Sequence, residues 1–181
     1  MFILEMIDRM KPLDMQPQGT RIASIHNGSA LFTGDAGQAE SNIRRYLLEN
    51  DLVEAIIQLP NNIFYNTGIA TYRWILNKKK KEHQQGLVLL IDASQAFNKL
   101  RKNQGNRNCT IEAYADRIYE IYESFVGTDA TPWSPIKSLQ IPIDDFRYNS
   151  VTIERPLRLR AQFCADAIDN MIYDPKLDEV S

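Results

Sequence analysis

At 181 residues, with 44% hydrophobic and 24% charged side chains, the chain can bury one good core, so a single domain with an appendage is the expected organisation. Its formal net charge of −2 excludes a global electrostatic pull toward nucleic acid and leaves only local basic patches. Cys109 and Cys164 have neither the number nor the spacing of a disulfide framework or a zinc site, which favours a reducing, cytoplasmic setting with no metal.

In chain order, Phe2, Ile3, Met6, Ile7 and Met10 mark one face of a short helix that Pro12 stops. Glu5, Asp8 and Arg9 interrupt that run too often for a signal peptide or a membrane span. A chain that opens inside an uncapped apolar helix reads as truncated. Arg21–Ile25 is a short strand ending at His26-Asn27-Gly28. Asp35 is a candidate cap for a helix in which Ala39, Ile43, Tyr46 and Leu47 share a face and Asn50 stands at the end. Val53–Leu59 is nearly continuously apolar and β-branched, the pattern of a strand buried on both faces, and Pro60-Asn61-Asn62 ends it. Ile69–Leu76 alternates, as a strand with one partly polar face does. Leu87–Ile91 is a third buried strand, and its short gap from the second favours an antiparallel hairpin.

Beyond residue 98 the composition shifts. Lys99–Asn108 reads as a basic loop, Thr110 as the cap of a helix running to Phe125, and Gly127–Pro142, with three prolines, as a linker. Phe163, Ala167 and Met171 then fall at helical spacing within Arg160–Tyr173. The expected domains are therefore 1–98, an α/β unit with a mixed sheet, and 99–181, a mainly helical tail. The Arg21 strand is expected at an edge that is open or paired with another copy of the chain.

Few motifs carry chemistry. There is no Gly-x-Gly fingerprint, phosphate-binding lysine loop, His-Glu-x-x-His or Asn-Pro-Pro sequence, so no catalytic, cofactor-binding or metal-ligating residue is assigned. His26, at a strand end, reads as a structural histidine or a general base. Lys78, Lys79, Lys80 and Lys81 form either a solvated turn or a phosphate-tracking patch, joined by Arg101, Lys102 and Arg107 if both loops share a face. Phe64 and Tyr65 lie on the loop after the Val53 strand, where an aromatic is either a core plug or the platform for a flat ligand.

Three runs, LPNNIFYNTGIATYRWILNKKKK, GLVLLIDASQAFNKLRKNQGNRN and FRYNSVTIERPLRL, occur in consistent order. Together they resemble the modification (M) subunit of type I restriction–modification systems, an adenine-N6 DNA methyltransferase that uses S-adenosylmethionine. The resemblance covers most of residues 1–160. It implies the second half of a Rossmann-like methyltransferase domain plus the start of the C-terminal region. The cofactor loop and the Asn-Pro-Pro-Tyr/Phe loop belong to the first half, so the resemblance implies a stretch that neither binds the cofactor nor catalyses alone. His26-Asn27 stand where the family often has Leu-Pro. Phe64 matches the position of an aromatic ring that stacks on the flipped target base. DNA, a specificity subunit and a restriction subunit are the implied partners. The other readings are a non-catalytic assembly module and a small-molecule-binding α/β domain.

Overall fold

Val53–Leu59 forms the middle strand, β2, of a five-stranded sheet, as its nearly continuous apolar run leads one to expect. In the computed structural model, which describes residues 2–154, the other strands are β1 (Arg21–Asn27), β3 (Thr71–Asn77), β4 (Leu87–Asp92) and β7 (Lys137–Pro142). Their order is β1-β3-β2-β4-β7. β2 and β4 are parallel, and β3 is antiparallel to both β1 and β2, so β1, β2 and β4 share one direction. β7 runs against β4. β1 alternates exposed and half-buried residues and lies at the sheet edge, where the sequence places it.

Helices cover both faces. α1 (Phe2–Asp8) and α3 (Ala39–Glu49), with the one-turn α2 (Ser29–Phe32) between them, pack on one side. There Ile3, Ile7, Met10 and Leu47 meet Val53, Trp74, Leu76 and Val88. α4 (Ala115–Ser124) covers the other, where Ile121 and Phe125 meet Ala55, Ile57, Leu89 and Ile91. The alternation of β2 side chains between these two layers makes the mixed α/β sheet a single three-layer structure.

Several local expectations are corrected. Gly127–Pro142 is not wholly a linker, because Lys137–Pro142 pairs with β4 as a second edge strand, a position that tolerates its terminal proline. Lys99–Asn108 is not a loop but most of a hairpin, β5 (Asn98–Gln104) and β6 (Arg107–Thr110). The short link from β3 to β4 reverses the chain as expected, yet the two strands are not neighbours, since β2 lies between them. Helix α3 begins after Gln38 rather than at Asp35, and α4 follows a 3-10 turn at Glu112–Tyr114. The first compact unit extends from Met1 to Asn149, so the expected boundary at 98 falls inside it. The second runs from Ser150 to Ser181, and the helix expected at Arg160–Tyr173 lies outside the described residues.

Two charge clusters secure the amino end of β2. At the turn from α3, Leu52 N–H donates to Leu47 O at 2.9 Å and Asp51 N–H to Leu48 O at 2.9 Å, closing the helix with Asp51 at φ 51°. A left-handed aspartate is unfavourable by itself. Its carboxylate is held by Lys80 Nζ at 2.5 Å and by the Gly86 N–H at 3.1 Å, while Lys80 also donates to Leu87 O at 2.7 Å. Beside it, a bulge in β2 brings Glu54, 0% exposed, against Arg21, whose Nε and Nη2 donate to the two carboxylate oxygens at 3.0 and 3.3 Å. Burial, reinforced by the Glu54 charge, raises the Tyr122 hydroxyl above the usual tyrosine range.

Removing Arg21 orphans a buried carboxylate. Arg21→Met should cost about 2–4 kcal/mol, less than the full value for a buried pair because Arg21 is half exposed. Arg21→Met with Glu54→Leu should recover most of that loss in urea unfolding, and a double variant no more stable than the single would count against the pair. Lys80 carries a pH dependence. Burial holds its ammonium below the usual lysine range, against the opposing pull of Asp51. Between that lowered value and the ordinary one of about 10.4, the unfolded chain binds more protons, so this group makes stability rise with pH. The melting-temperature advantage of wild type over Lys80→Met should therefore grow as pH rises toward the ordinary lysine value, and a constant difference would refute the assignment.

Candidate functional site

The parallel strands β1, β2 and β4 all end on one edge of the sheet, the edge at which open α/β sheets bind ligands. Three segments lie there: Asn27-Gly28 after β1, Pro60–Ala70 between β2 and β3, and Asp92–Ala96 after β4. Asp92 turns back on its own loop, its Oδ1 accepting from the Ser94 N–H at 2.9 Å. At Gly28 a side chain would meet the Tyr72 ring at 3.3 Å, so the turn into α2 is filled by an aromatic.

The Pro60–Ala70 loop carries the two aromatics singled out in the sequence, and the structure separates their roles. Phe64 is half-buried and packs against the cluster that includes Ile57, Ala93 and Phe125. Tyr65, the next residue, is 61% exposed. Asn62 sits at φ 56°, and its Oδ1 lies 2.5 Å from where a Cβ on Gly68 would be, so a glycine is needed for the loop to close.

The β5–β6 hairpin holds this loop from outside. The Asn106 N–H donates to Tyr65 O at 3.0 Å and the Asn108 N–H to Asn62 O at 3.1 Å. The Cys109 thiol, its pKa raised by burial, donates to Asn61 O at 3.1 Å. Arg107 Nη1 donates to Tyr65 Oη at 2.8 Å, with the guanidinium carbon 5.2 Å from the ring centroid. Gly105, at φ 63°, lets the hairpin tip approach to where a Cβ would stand 2.6 Å from Tyr65 O.

The basic candidates are not brought together. Leu59 pairs with Thr71 and Val53 with Leu76, so the lysines after β3 lie at the opposite end of the sheet from the loop, about 20 Å along the strands. Lys80 is buried in the Asp51 pair, Lys79 Nζ donates to Pro17 O at 2.9 Å, and Lys81 lies 3.6 Å from Glu123. Lys78 is half-buried. The two basic groups therefore stand at opposite ends of the strands. Arg101 and Lys102 stand exposed on β5, and Arg107 grips Tyr65.

His26 faces the α1–α3 side. Its Nε2 is 2.6 Å from Ser24 Oγ, its ring meets Trp74 edge-on at 6.0 Å, and burial lowers its pKa. It lines a cavity of about 180 Å³ with Phe2, Ala30, Ile43 and Trp74. Among the described residues no group of three or more His, Cys, Asp or Glu side chains could hold a metal ion, and no helix is long and apolar enough to cross a membrane. Sequence reasoning missed the Tyr65–Arg107 pair and the hairpin that makes it. The one local signal was Gly105-Asn106, a turn dipeptide inside a polar run.

Comparisons with known proteins agree with this topology. The N-6 DNA Methylase family model matches residues 1–154. Over 105 residues the chain is 36% identical to the type I restriction enzyme MjaVII methylase subunit of Methanocaldococcus jannaschii, covering 58% of this chain and 18% of that protein. It is 39% identical over 77 residues to the MpnII methylase subunit of Mycoplasma pneumoniae, covering 42% and 14%. The type I restriction–modification methyltransferase subunit from Streptococcus thermophilus superposes with a TM-score of 0.56 at 30% identity, over 69% of this chain and 23% of that one. A modification subunit of a putative type I restriction enzyme from Vibrio vulnificus shares the fold, with a TM-score of 0.62 at 12% identity, over 82% and 28%. The match thus spans 14% to 18% of the length of these curated relatives. With most of its residues inside the family match and its sheet shared with solved methyltransferase subunits, this chain belongs to the N-6 DNA Methylase family.

Proposed function

We propose that the chain is the part of a type I DNA-modification subunit that presents the target-facing loop for methylation of adenine at N6. The observation that carries this reading is the loop Pro60–Gly68, held at the carboxyl edge of the sheet with aromatics at its centre. A base inside a duplex cannot expose its exocyclic amine to a methyl donor, so it must leave the stack, and a ring that receives it lowers the cost of extrusion. Phe64 is the proposed receiving ring. Its half-buried packing fixes the plane of the ring and leaves part of it toward solvent.

S-adenosylmethionine supplies the methyl group in this chemistry. The residues described here do not fit it: the Gly28 turn is filled by Tyr72, and Asp92 is engaged by its own loop. The cofactor and the acceptors that orient the adenine amine are therefore assigned to the remaining length of the relatives. This stretch then positions the base and does not catalyse alone. DNA reaches it from the loop and hairpin side, and the specificity and restriction subunits are the proposed protein partners. The free edge of β1 is a surface on which a further strand can add, from that remaining length or from a second copy.

In the intact methyltransferase, Phe64→Ala should slow methylation by the equivalent of about 1–3 kcal/mol of lost stacking, and Phe64→Trp should retain much of the rate. Pairing the target adenine with a mismatched base lowers the extrusion cost and should partly rescue Phe64→Ala. Melting temperature measured alongside separates the alternative. A fall in melting temperature with unchanged methylation per folded molecule would make Phe64 a core plug and reject the stacking role.

A further inference from the structure

The ring that stands free at this edge is not Phe64 but its neighbour. Tyr65 is 61% exposed although it is large and aromatic, and two residues of the hairpin hold it in that exposed position. Its carbonyl accepts from the Asn106 N–H, its hydroxyl accepts from Arg107 Nη1, and the Arg107 guanidinium lies 5.2 Å from its centroid. Arg107 is itself fixed by half-burial, and its Nε is buried without a partner among the described residues. A solvated tyrosine loses nothing by swinging free. Here Arg107 of the hairpin restrains the ring while Asn106 ties down its backbone, and the same hairpin exposes Arg101 and Lys102.

We infer that Tyr65 and Arg107 form a stacking platform for an unpaired nucleotide of single-stranded DNA, with Arg101 and Lys102 as contacts to its phosphates. An exposed ring beside a fixed cation and further exposed ones is a combination that holds single strands without reading their sequence, since every base has a π-face. The Tyr65 hydroxyl is used by Arg107, so it does not read a base edge. Arg107 acts as a positioning residue, and the planar fork of a guanidinium, which lysine lacks, is what lets one side chain grip the hydroxyl and flank the ring. The inference rests on the reading of this edge as the DNA-facing one. It adds a second base-contacting ring beside Phe64.

The test uses the full chain and a short single strand containing the fluorescent adenine analogue 2-aminopurine, whose emission falls on stacking. Wild type at low salt should quench it, with an affinity that weakens on adding salt in proportion to the few phosphates contacted. Tyr65→Ala should weaken binding roughly fivefold to a hundredfold. Tyr65→Trp should keep the quenching, and Arg107→Lys should lose part of it at unchanged net charge, which an unspecific charge effect would not produce. Circular dichroism of each variant checks that the fold is kept. Absence of quenching by wild type, or equal quenching by Tyr65→Ala, overturns the inference. Loss with Phe64→Ala alone also overturns it, yet leaves the edge as the DNA-facing one. Failure of the methylation test on Phe64 would reject that broader reading without touching a Tyr65-dependent quench.

Discussion

The Lys80–Asp51 pair holds the crossing on which the architecture depends. β3 and β4 lie on opposite sides of β2, so the chain between them must pass over the amino end of β2. That passage is where Lys80 Nζ meets Asp51 and Leu87 O, and where Gly86 N–H meets the other carboxylate oxygen. The contact joins three things at one point: the turn that ends α3, the start of β2 and the start of β4. With β4 held parallel to β2, their carboxyl ends open onto a common edge. A neutral amine would still donate to both oxygens, so the crossing survives loss of the lysine charge, and burial makes that charge harder to keep.

Polar groups are distributed unequally between the two ends of the sheet. The amino end sets a buried charge against a more exposed partner in two pairs, Lys80 with Asp51 and Glu54 with Arg21. The carboxyl end leaves Arg101, Lys102 and one aromatic ring exposed, and joins the hairpin to the loop through backbone bonds and the Arg107 and Cys109 side chains. Buried pairs need fixed partners and suit a scaffold. The same residue type therefore does different work at the two ends, and a cluster of four lysines in sequence became mainly a structural device.

The aromatic loop shows how function is built on this frame. Phe64 faces inward to the cluster under α4, and Tyr65 faces outward to Arg107. One rigid loop thus ties a core contact to a surface contact, and a displacement of the hairpin would be felt at both rings. The family match covers most of the chain, which spans 18% of the length of the MjaVII relative.

Much of the fold was legible in the sequence, and for a physical reason. Val53–Leu59 is apolar at nearly every position, and only a central strand buried on both faces accommodates that, so its place followed from composition alone. The amphipathic faces of α1 and α3 and the alternation of β3 likewise record which side meets the core. The three linked sequence runs carried the family. What the sequence could not show is everything that depends on a partner far along the chain. Lys99–Asn108 has no apolar face of its own and became a hairpin because the loop at Asn61–Tyr65 supplies acceptors for it. Lys137–Pro142 is a strand because β4 had an open edge. The four lysines look identical in sequence, and only the strand register puts them at the end away from the aromatic loop and buries Lys80 among them. Side-chain chemistry is local and is written in the order of residues; which groups of like chemistry share an edge is decided by topology, and that exists only once the strands have paired.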